Sequence, residues 1–209
     1  MSIHTWLLRG MLNHIGSGVS IHPSVWIESP EQIYISDDCE IRRGATLIGT
    51  SEREIGIELG KGVHIHPYAF LNAYGGFIKL GEGVRIGHFT VIAGHGGVVF
   101  GPYSGVAGQS YVISSNHQFK DSKIPHVKQE ETKKGITVGT NVWGGSGVII
   151  LDGVRIGDNA VIGAGSVVRR HVPDNCVVLG NPARVAYRFS TAQVQKPQLS
   201  HYKENNEIR

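Results

Sequence analysis

A six-residue period dominates the sequence and limits the folds that it can adopt. In its clearest stretch an aliphatic residue recurs at every sixth position, and a second small or aliphatic residue follows four positions later. The recurring positions are Val138, Gly144 (the one gap), Ile150, Ile156, Ile162 and Val168. An α-helix repeats at about 3.6 residues and a lone strand at about 2. The period therefore indicates short strands joined by tight turns.

The same phase runs through most of the chain and groups the hexads in threes. The seven triplets begin at Ile15, Ile35, Leu59, Leu80, Phe100, Val138 and Ile156. Three hexads make an 18-residue triangular coil, and stacked coils bury one continuous core. We therefore predict an all-β fold, a parallel β-helix of about seven coils. The 29 glycines, about twice the usual share of roughly 7%, suit repeated tight corners.

The period also divides the chain. We predict a short amphipathic helix at 1–14, the β-helix at 15–189 and a polar tail at 190–209. Successive coils begin 20, 24, 21, 20, 38 and 18 residues apart, and every excess over 18 follows a third hexad. The insertions should therefore emerge at one corner of the prism. The largest, a polar loop at 118–135, is either a solvated flap or a loop that closes over a ligand or a neighbouring subunit.

Composition narrows the choice of partners and compartment. The formal net charge is only +3, without a long basic run, which disfavours nucleic acid binding. No apolar run reaches the roughly 18 residues of a membrane span. The two cysteines, Cys39 and Cys176, imply no disulfide framework and fit a reducing cytoplasm.

His117 stands where the chain leaves the prism, directly before the polar loop. Histidine exchanges a proton readily near neutral pH, which suits a general base. A plain surface histidine is the alternative.

A family resemblance favours the catalytic interpretation. From about Ile65 to Phe189 the chain resembles the hexapeptide-repeat O-acetyltransferases, which include galactoside, maltose, polysaccharide and streptogramin acetyltransferases. Three motifs carry it: Asn116-His117, the segment from Ile136 to Gly145 (ITVGTNVWGG), and Gly180-Asn181-Pro182-Ala183.

The resemblance implies a left-handed coil, acetyl-CoA as cosubstrate and His117 as the base that deprotonates an acceptor hydroxyl. It further implies a cytoplasmic homotrimer that acetylates a carbohydrate, in surface polysaccharide biosynthesis. No metal is expected.

Other positions are candidates for ligand contacts. On the acceptor side they are Asn72, Tyr74, His95 and Asn116. For acetyl-CoA they are Trp143, Gly145, Gly163, Ala164, Arg169, Arg170, Arg184 and Arg188. Arginine suits the CoA phosphates through its planar donor fork, and small residues expose backbone groups. Each position also has an ordinary structural explanation: a solvated corner, an aromatic plug between coils, a glycine that the repeat demands or a charged surface.

Several rival functions stay open. An N-acetyltransferase of a nucleotide-linked amino sugar shares the fold and cofactor, and a streptogramin acetyltransferase shares Asn116-His117. A zinc-dependent carbonic anhydrase of the γ class would draw on several imidazoles, whose spacing does not match. Those imidazoles are His64, His66, His88, His95 and His117. A non-enzymatic solenoid used for assembly is the alternative from a different class.

Overall fold

A computed structural model of the chain describes residues 8–189. Within this range three sheets form the walls of a prism. Sheet A contains β1 (His14–Ile15), β4 (Ile33–Ile35), β7 (Ile57–Leu59), β10 (Ile78–Leu80), β13 (Val98–Phe100), β18 (Ile136–Val138) and β21 (Arg155–Ile156). Sheet B contains β2 (Ser20–Ile21), β5 (Glu40–Ile41), β8 (His64–Ile65), β11 (Arg85–Ile86), β14 (Gly105–Val106), β19 (Trp143–Gly144), β22 (Val161–Ile162), β24 (Cys176–Leu179) and β25 (Arg184–Arg188). Sheet C contains β3 (Trp26–Glu28), β6 (Thr46–Ile48), β9 (Phe70–Asn72), β12 (Val91–Ala93), β15 (Tyr111–Ile113), β20 (Ile149–Ile150) and β23 (Val167–Val168).

Within each wall the strands of successive coils pair parallel, apart from β25 at the end of sheet B, which confirms the parallel β-helix. Over residues 8–189 the chain completes seven coils and begins an eighth with β24. Two further strands, β16 (Asn116–His117) and β17 (Glu131–Thr132), form a separate antiparallel pair in the large insertion. Short 3₁₀ helices lie at Leu8–Gly10, Pro30–Gln32 and His126–Lys128.

The core is built by the predicted six-residue phase. The first residue of each triplet pairs in register with the first residue of the next, so that Ile35, Leu59, Leu80, Phe100 and Val138 stack in one column. All five are at most 2% exposed. Burial of one such side chain contributes about 1.5–3 kcal/mol, and the column repeats this in every coil. The other two hexad positions form equivalent columns on sheets B and C.

Left-handed backbone at the corners turns one wall into the next. At the corner between sheets A and B, Asn141, Asn159 and Asn175 have φ of 55°, 57° and 54°, a region that asparagine tolerates better than most residues. Their side chains form a ladder, because Nδ2 of Asn141 donates to Oδ1 of Asn159 at 2.9 Å and Nδ2 of Asn159 donates to Oδ1 of Asn175 at 3.0 Å. The corner residues therefore link successive coils as well as turning the chain.

The two ends of the prism differ in part from the expectation. The first half of the helix predicted at 1–14 lies outside the described residues, and in the second half a 3₁₀ turn at Leu8–Gly10 and a strand from His14 take its place. His14 is in the strand because it pairs with the next coil and stacks on Tyr34, with 4.4 Å between ring centroids. The predicted tail at 190–209 lies outside the described residues.

The coils continue beyond Val172, where the six-residue period is no longer visible. β24 adds an eighth parallel strand to sheet B within the described range, with Val178 in register with Ile162. β25 then pairs antiparallel to β24 after the turn at 180–183. The period is hidden here because this coil is shorter, with Val172 bridging back to Ile156 of sheet A.

Candidate active site

The large insertion leaves the prism at the corner between sheets C and A, as the spacing predicted. It begins as a hairpin: Asn116 pairs with Thr132 and His117 with Glu131, and the amide of Gln118 donates to the carbonyl of Glu130 at 3.0 Å. His117 is therefore on a short strand at the base of the loop, and this pairing fixes what stands opposite it.

The residue opposite His117 is a carboxylate. Nε2 of His117 lies 3.2 Å from Oε1 of Glu131, and the two side chains are 53% and 31% exposed. The ring of His126 approaches His117 edge-on, at 6.1 Å between centroids. The carboxylate faces Nε2, so it would stabilise a proton on Nε2, and the lone pair of the neutral ring would then be on Nδ1. An imidazole beside a carboxylate is a pairing that suits proton transfer.

Asp152, at the same corner one coil later, holds the returning strand of the hairpin. Its carboxylate accepts hydrogen bonds from Oγ1 of Thr132 at 2.8 Å and from the amides of Lys134 and Gly135 at 2.9 and 3.0 Å. Thr132 follows Glu131 directly, so Asp152 positions the strand that presents Glu131 to His117. The sequence analysis predicted a role for neither acidic residue. Glu131 was one of many polar residues in the loop, and Asp152 belonged to no recognisable motif.

The predicted acceptor residues lie at the same corner in the coils below. The rings of Tyr74 and His95 stack, with centroids 4.3 Å apart and planes 7° from parallel. Asn72 is 8% exposed, and its Oδ1 accepts the amide hydrogen of Tyr74 at 2.8 Å. The side-chain oxygen of Asn72 is thus used in the turn, so only its Nδ2 could contact an acceptor substrate. Asn116 is exposed on β16 beside His117.

His95 belongs electrostatically to the His117 site. Burial lowers the pKa of His95; the Glu131 carboxylate opposes this shift, whereas Lys133 and His117 add to it. Nδ1 of His95 is buried without a hydrogen-bond partner among the described residues. The structure therefore brings together Tyr74, His95, His117 and Glu131 in one surface region.

The residues predicted to bind acetyl-CoA lie on another wall. Trp143 is on β19 of sheet B, 63% exposed, with Gly105 and Val161 as its strand neighbours. A Cβ at Gly145 would lie 2.7 Å from the amide nitrogen of Ala164 in the next coil. A Cβ at Gly163 would collide with Leu179. Close packing of the coils thus accounts for both glycines. Trp143, by contrast, is exposed on the outer face of sheet B.

The four arginines predicted to contact acetyl-CoA form two groups. Arg184 and Arg188 are exposed on β25 at the end of sheet B. Arg169 and Arg170 are exposed beyond β23, where the chain turns from sheet C towards Val172 and sheet A. The separation arises because β25 folds back along sheet B.

Comparison with known proteins identifies the family. The family model described as "Bacterial transferase hexapeptide (six repeats)" matches residues 135–170. The galactoside O-acetyltransferase of Escherichia coli strain K12 is 33% identical over 156 residues, which are 72% of this chain and 70% of that protein. The chain belongs to the hexapeptide-repeat acetyltransferase family.

Other members of the family match over less of their length. The galactoside O-acetyltransferase of Lactococcus lactis is 32% identical over 140 residues, 64% of this chain and 63% of that protein. A probable acetyltransferase of Mycobacterium tuberculosis is 30% identical over 62% of this chain, and the alignment spans 43% of its length. The chain thus spans about half to two thirds of these curated relatives.

A solved structure shares the fold. A mutant of the N-acyltransferase AntD from Bacillus cereus, crystallised with dTDP-4-amino-4,6-dideoxyglucose and coenzyme A, superposes with a TM-score of 0.63 at 20% identity over 91% of each chain. At this identity the likeness concerns the fold alone.

Two kinds of feature are absent from residues 8–189. No group of three or more His, Cys, Asp or Glu side chains in this range could hold a metal ion. No helix in the same range has the length and apolar character needed to cross a bilayer.

Proposed function

We propose that the protein transfers the acetyl group of acetyl-CoA to a hydroxyl group of a carbohydrate, with His117 as general base. The observation that carries the proposal is the pair formed by His117 and Glu131 at the base of the loop, 3.2 Å apart, in a chain of this family. A general base of this kind accelerates a reaction by roughly 10²–10⁴-fold.

The proposed step is a direct acyl transfer. The acceptor hydroxyl gives its proton to Nδ1 of His117 while its oxygen bonds to the acetyl carbonyl carbon. The carbon–sulfur bond then breaks, and the leaving sulfur takes the proton back from His117, which yields an acetyl ester and free CoA. The Glu131 carboxylate, 3.2 Å from Nε2, stabilises the transient imidazolium by its charge. Tyr74 and His95, stacked at the same corner, offer a surface for a sugar ring.

We propose that acetyl-CoA lies along sheet B. Trp143 is exposed there beside Gly145, Gly163 and Ala164, whose small side chains leave backbone groups accessible to an extended ligand. Arg184 and Arg188 at the end of this sheet are the better placed of the four arginines for the CoA phosphates. Arg169 and Arg170, at a different corner, would reach them only from another copy of the chain.

A homotrimer would complete this site. His117 is at the corner between sheets C and A, whereas Trp143 is on sheet B, so one chain does not place the base beside the proposed cofactor surface. Sheet C also exposes an apolar outer column, in which Trp26, Tyr111 and Ile149 are 64%, 42% and 36% exposed. Contiguous apolar patches on monomers are usually small. Packing of neighbouring copies would cover this column, and light scattering should then report the mass of three chains.

Two buried free cysteines, Cys39 and Cys176, fit the reducing cytoplasm that we propose as the location. A role in surface polysaccharide biosynthesis belongs to the same proposal.

The test is the release of free CoA thiol from acetyl-CoA with a panel of sugars, oligosaccharides and amino sugars. Release should depend on a hydroxyl acceptor and fall about a hundredfold or more in His117→Ala. His126→Ala, in the same loop and in edge contact with His117, is the matched control and should keep most of the activity. Equal rates for the wild type and His117→Ala would remove His117 as base, and a strict requirement for amino acceptors would replace O-transfer by N-transfer.

A further inference from the structure

The amino-terminal half of sheet B carries a positively charged surface that the proposed chemistry does not use. Four basic side chains stand on its outer face on three consecutive coils: Arg42, His64, His66 and Arg85. His64 is in register with Glu40 below and Arg85 above, and Arg42 and His66 follow two positions after Glu40 and His64. We refer to these four residues as the basic face.

A cleft of about 390 Å³ adjoins the basic face and shares Arg42 with it. His22, Glu40 and Arg43 are among its other lining residues. Cavities that bind small ligands are commonly about 300–1,000 Å³, so the cleft could hold a substituent of moderate size. The guanidinium of Arg43 lies 5.8 Å from the centroid of the Tyr68 ring, a contact that favours one orientation of this arginine.

The positive charge on this surface is only partly neutralised. Glu40 accepts a hydrogen bond from Nη2 of Arg42 at 2.9 Å and lies 3.5 Å from Nδ1 of His64. Arg43 and Arg85 have no acidic partner within 4 Å among the described residues, and Nε of Arg42 is buried without an acceptor. Of these three arginines, Arg42 alone has a carboxylate partner among the described residues.

The excess of positive charge affects the pKa values of His64 and His66. Burial is the largest cause that lowers the pKa of His64 and of His66, and Arg42 and Arg85 lower both further. Glu40 opposes the shift in each case. Imidazoles with lowered pKa values supply hydrogen-bond donors while adding little positive charge. An anion arriving here would meet Arg85, which has no acidic partner within 4 Å among the described residues.

We propose that the basic face and its cleft bind a phosphate or diphosphate group carried by the acceptor. Guanidinium forks match phosphate oxygens in geometry and make charge-assisted hydrogen bonds with them. Arg85 and Trp143 are on the same wall, two strands apart through β14, which corresponds to roughly 10 Å at about 4.8 Å per strand. An acceptor of the size of a sugar diphosphate would span this distance. The acceptor role rests on the proposed acetyl transfer, but binding of the anion does not.

The first experiment is calorimetric titration of the full chain with inorganic pyrophosphate. The wild type should bind, and the double variant Arg42→Gln/Arg85→Gln should bind about tenfold more weakly or worse. Arg155→Gln, an exposed arginine on sheet A, is the matched control and should bind as the wild type does. Thermal unfolding of all three proteins checks that the fold is intact. No binding by the wild type at millimolar pyrophosphate, or equal binding by the double variant, would overturn the proposal.

The second experiment compares acceptors in the thiol-release assay. The double variant should show a raised KM for a sugar nucleotide or a polyprenyl-phosphate-linked sugar, with kcat kept, and an unchanged KM for the neutral sugar. Whichever of the two phosphorylated acceptors shows the larger KM effect identifies the source of the phosphate. Equal KM changes for neutral and phosphorylated acceptors would refute the assignment to the acceptor. His117→Ala should still bind pyrophosphate, so failure of acetyl transfer and failure of this site are separate results.

Discussion

Glu131→Gln removes the negative charge that lies 3.2 Å from Nε2 of His117 while it keeps a side chain of nearly the same size and shape. The substitution therefore tests electrostatic stabilisation of the imidazolium and not merely the orientation of the ring. In the ground state His117 is neutral when it acts as a base, so the carboxylate matters most when the proton has moved to Nδ1. The effect should consequently appear in kcat, with KM for the acceptor nearly unchanged.

The size of the expected loss in kcat follows from the solvent exposure of His117 and Glu131. A hydrogen bond to a charged group contributes about 1.5–3 kcal/mol, whereas fully exposed ion pairs contribute about 0.2–1 kcal/mol. His117 and Glu131 are 53% and 31% exposed, which places the loss at about 1–2 kcal/mol between these limits. At about 1.36 kcal/mol per factor of ten, kcat should fall roughly 5- to 30-fold.

Initial rates of thiol release at saturating acetyl-CoA, over a range of acceptor concentrations, give kcat and KM separately. Glu130→Gln is the matched control, because Glu130 is the preceding residue, is exposed and uses only its backbone carbonyl in the hairpin. A Glu131→Gln enzyme that matches Glu130→Gln in kcat, or one that changes only in KM, would refute the role of Glu131 as partner of the base.

Two further outcomes are expected. Asp152→Ala removes the acceptor of three hydrogen bonds that hold the strand after Glu131. The kcat should therefore fall about tenfold, and hydrogen exchange at the Lys134 and Gly135 amides should become faster. Unchanged exchange would show that Asp152 does not hold the strand. Burial raises the pKa of Cys39 to about 11. This thiol should therefore resist Ellman's reagent at neutral pH in the native protein and react fully after unfolding in denaturant. Rapid labelling of the native protein would contradict the place of Cys39 in the core.

The sequence alone determined the scaffold, because the fold repeats a local rule. Each coil needs an inward aliphatic residue at every sixth position, and its neighbours in space are the equivalent residues of adjacent coils. The stacking of Ile35 on Leu59 and of Tyr74 on His95 could therefore be read from equal positions in the period. The same count predicted that the insertions leave the prism at one corner and that His117 lies at that corner.

The tertiary structure decided the rest, because those contacts join residues that the period does not relate. Glu131 meets His117 only because the two ends of an irregular loop pair as a hairpin, and Asp152 reaches that hairpin from the next coil. The arginines near the carboxyl end divide because β25 reverses direction. A repeat fixes the geometry of its own columns, but side chains outside the columns find their partners only when the coils have stacked.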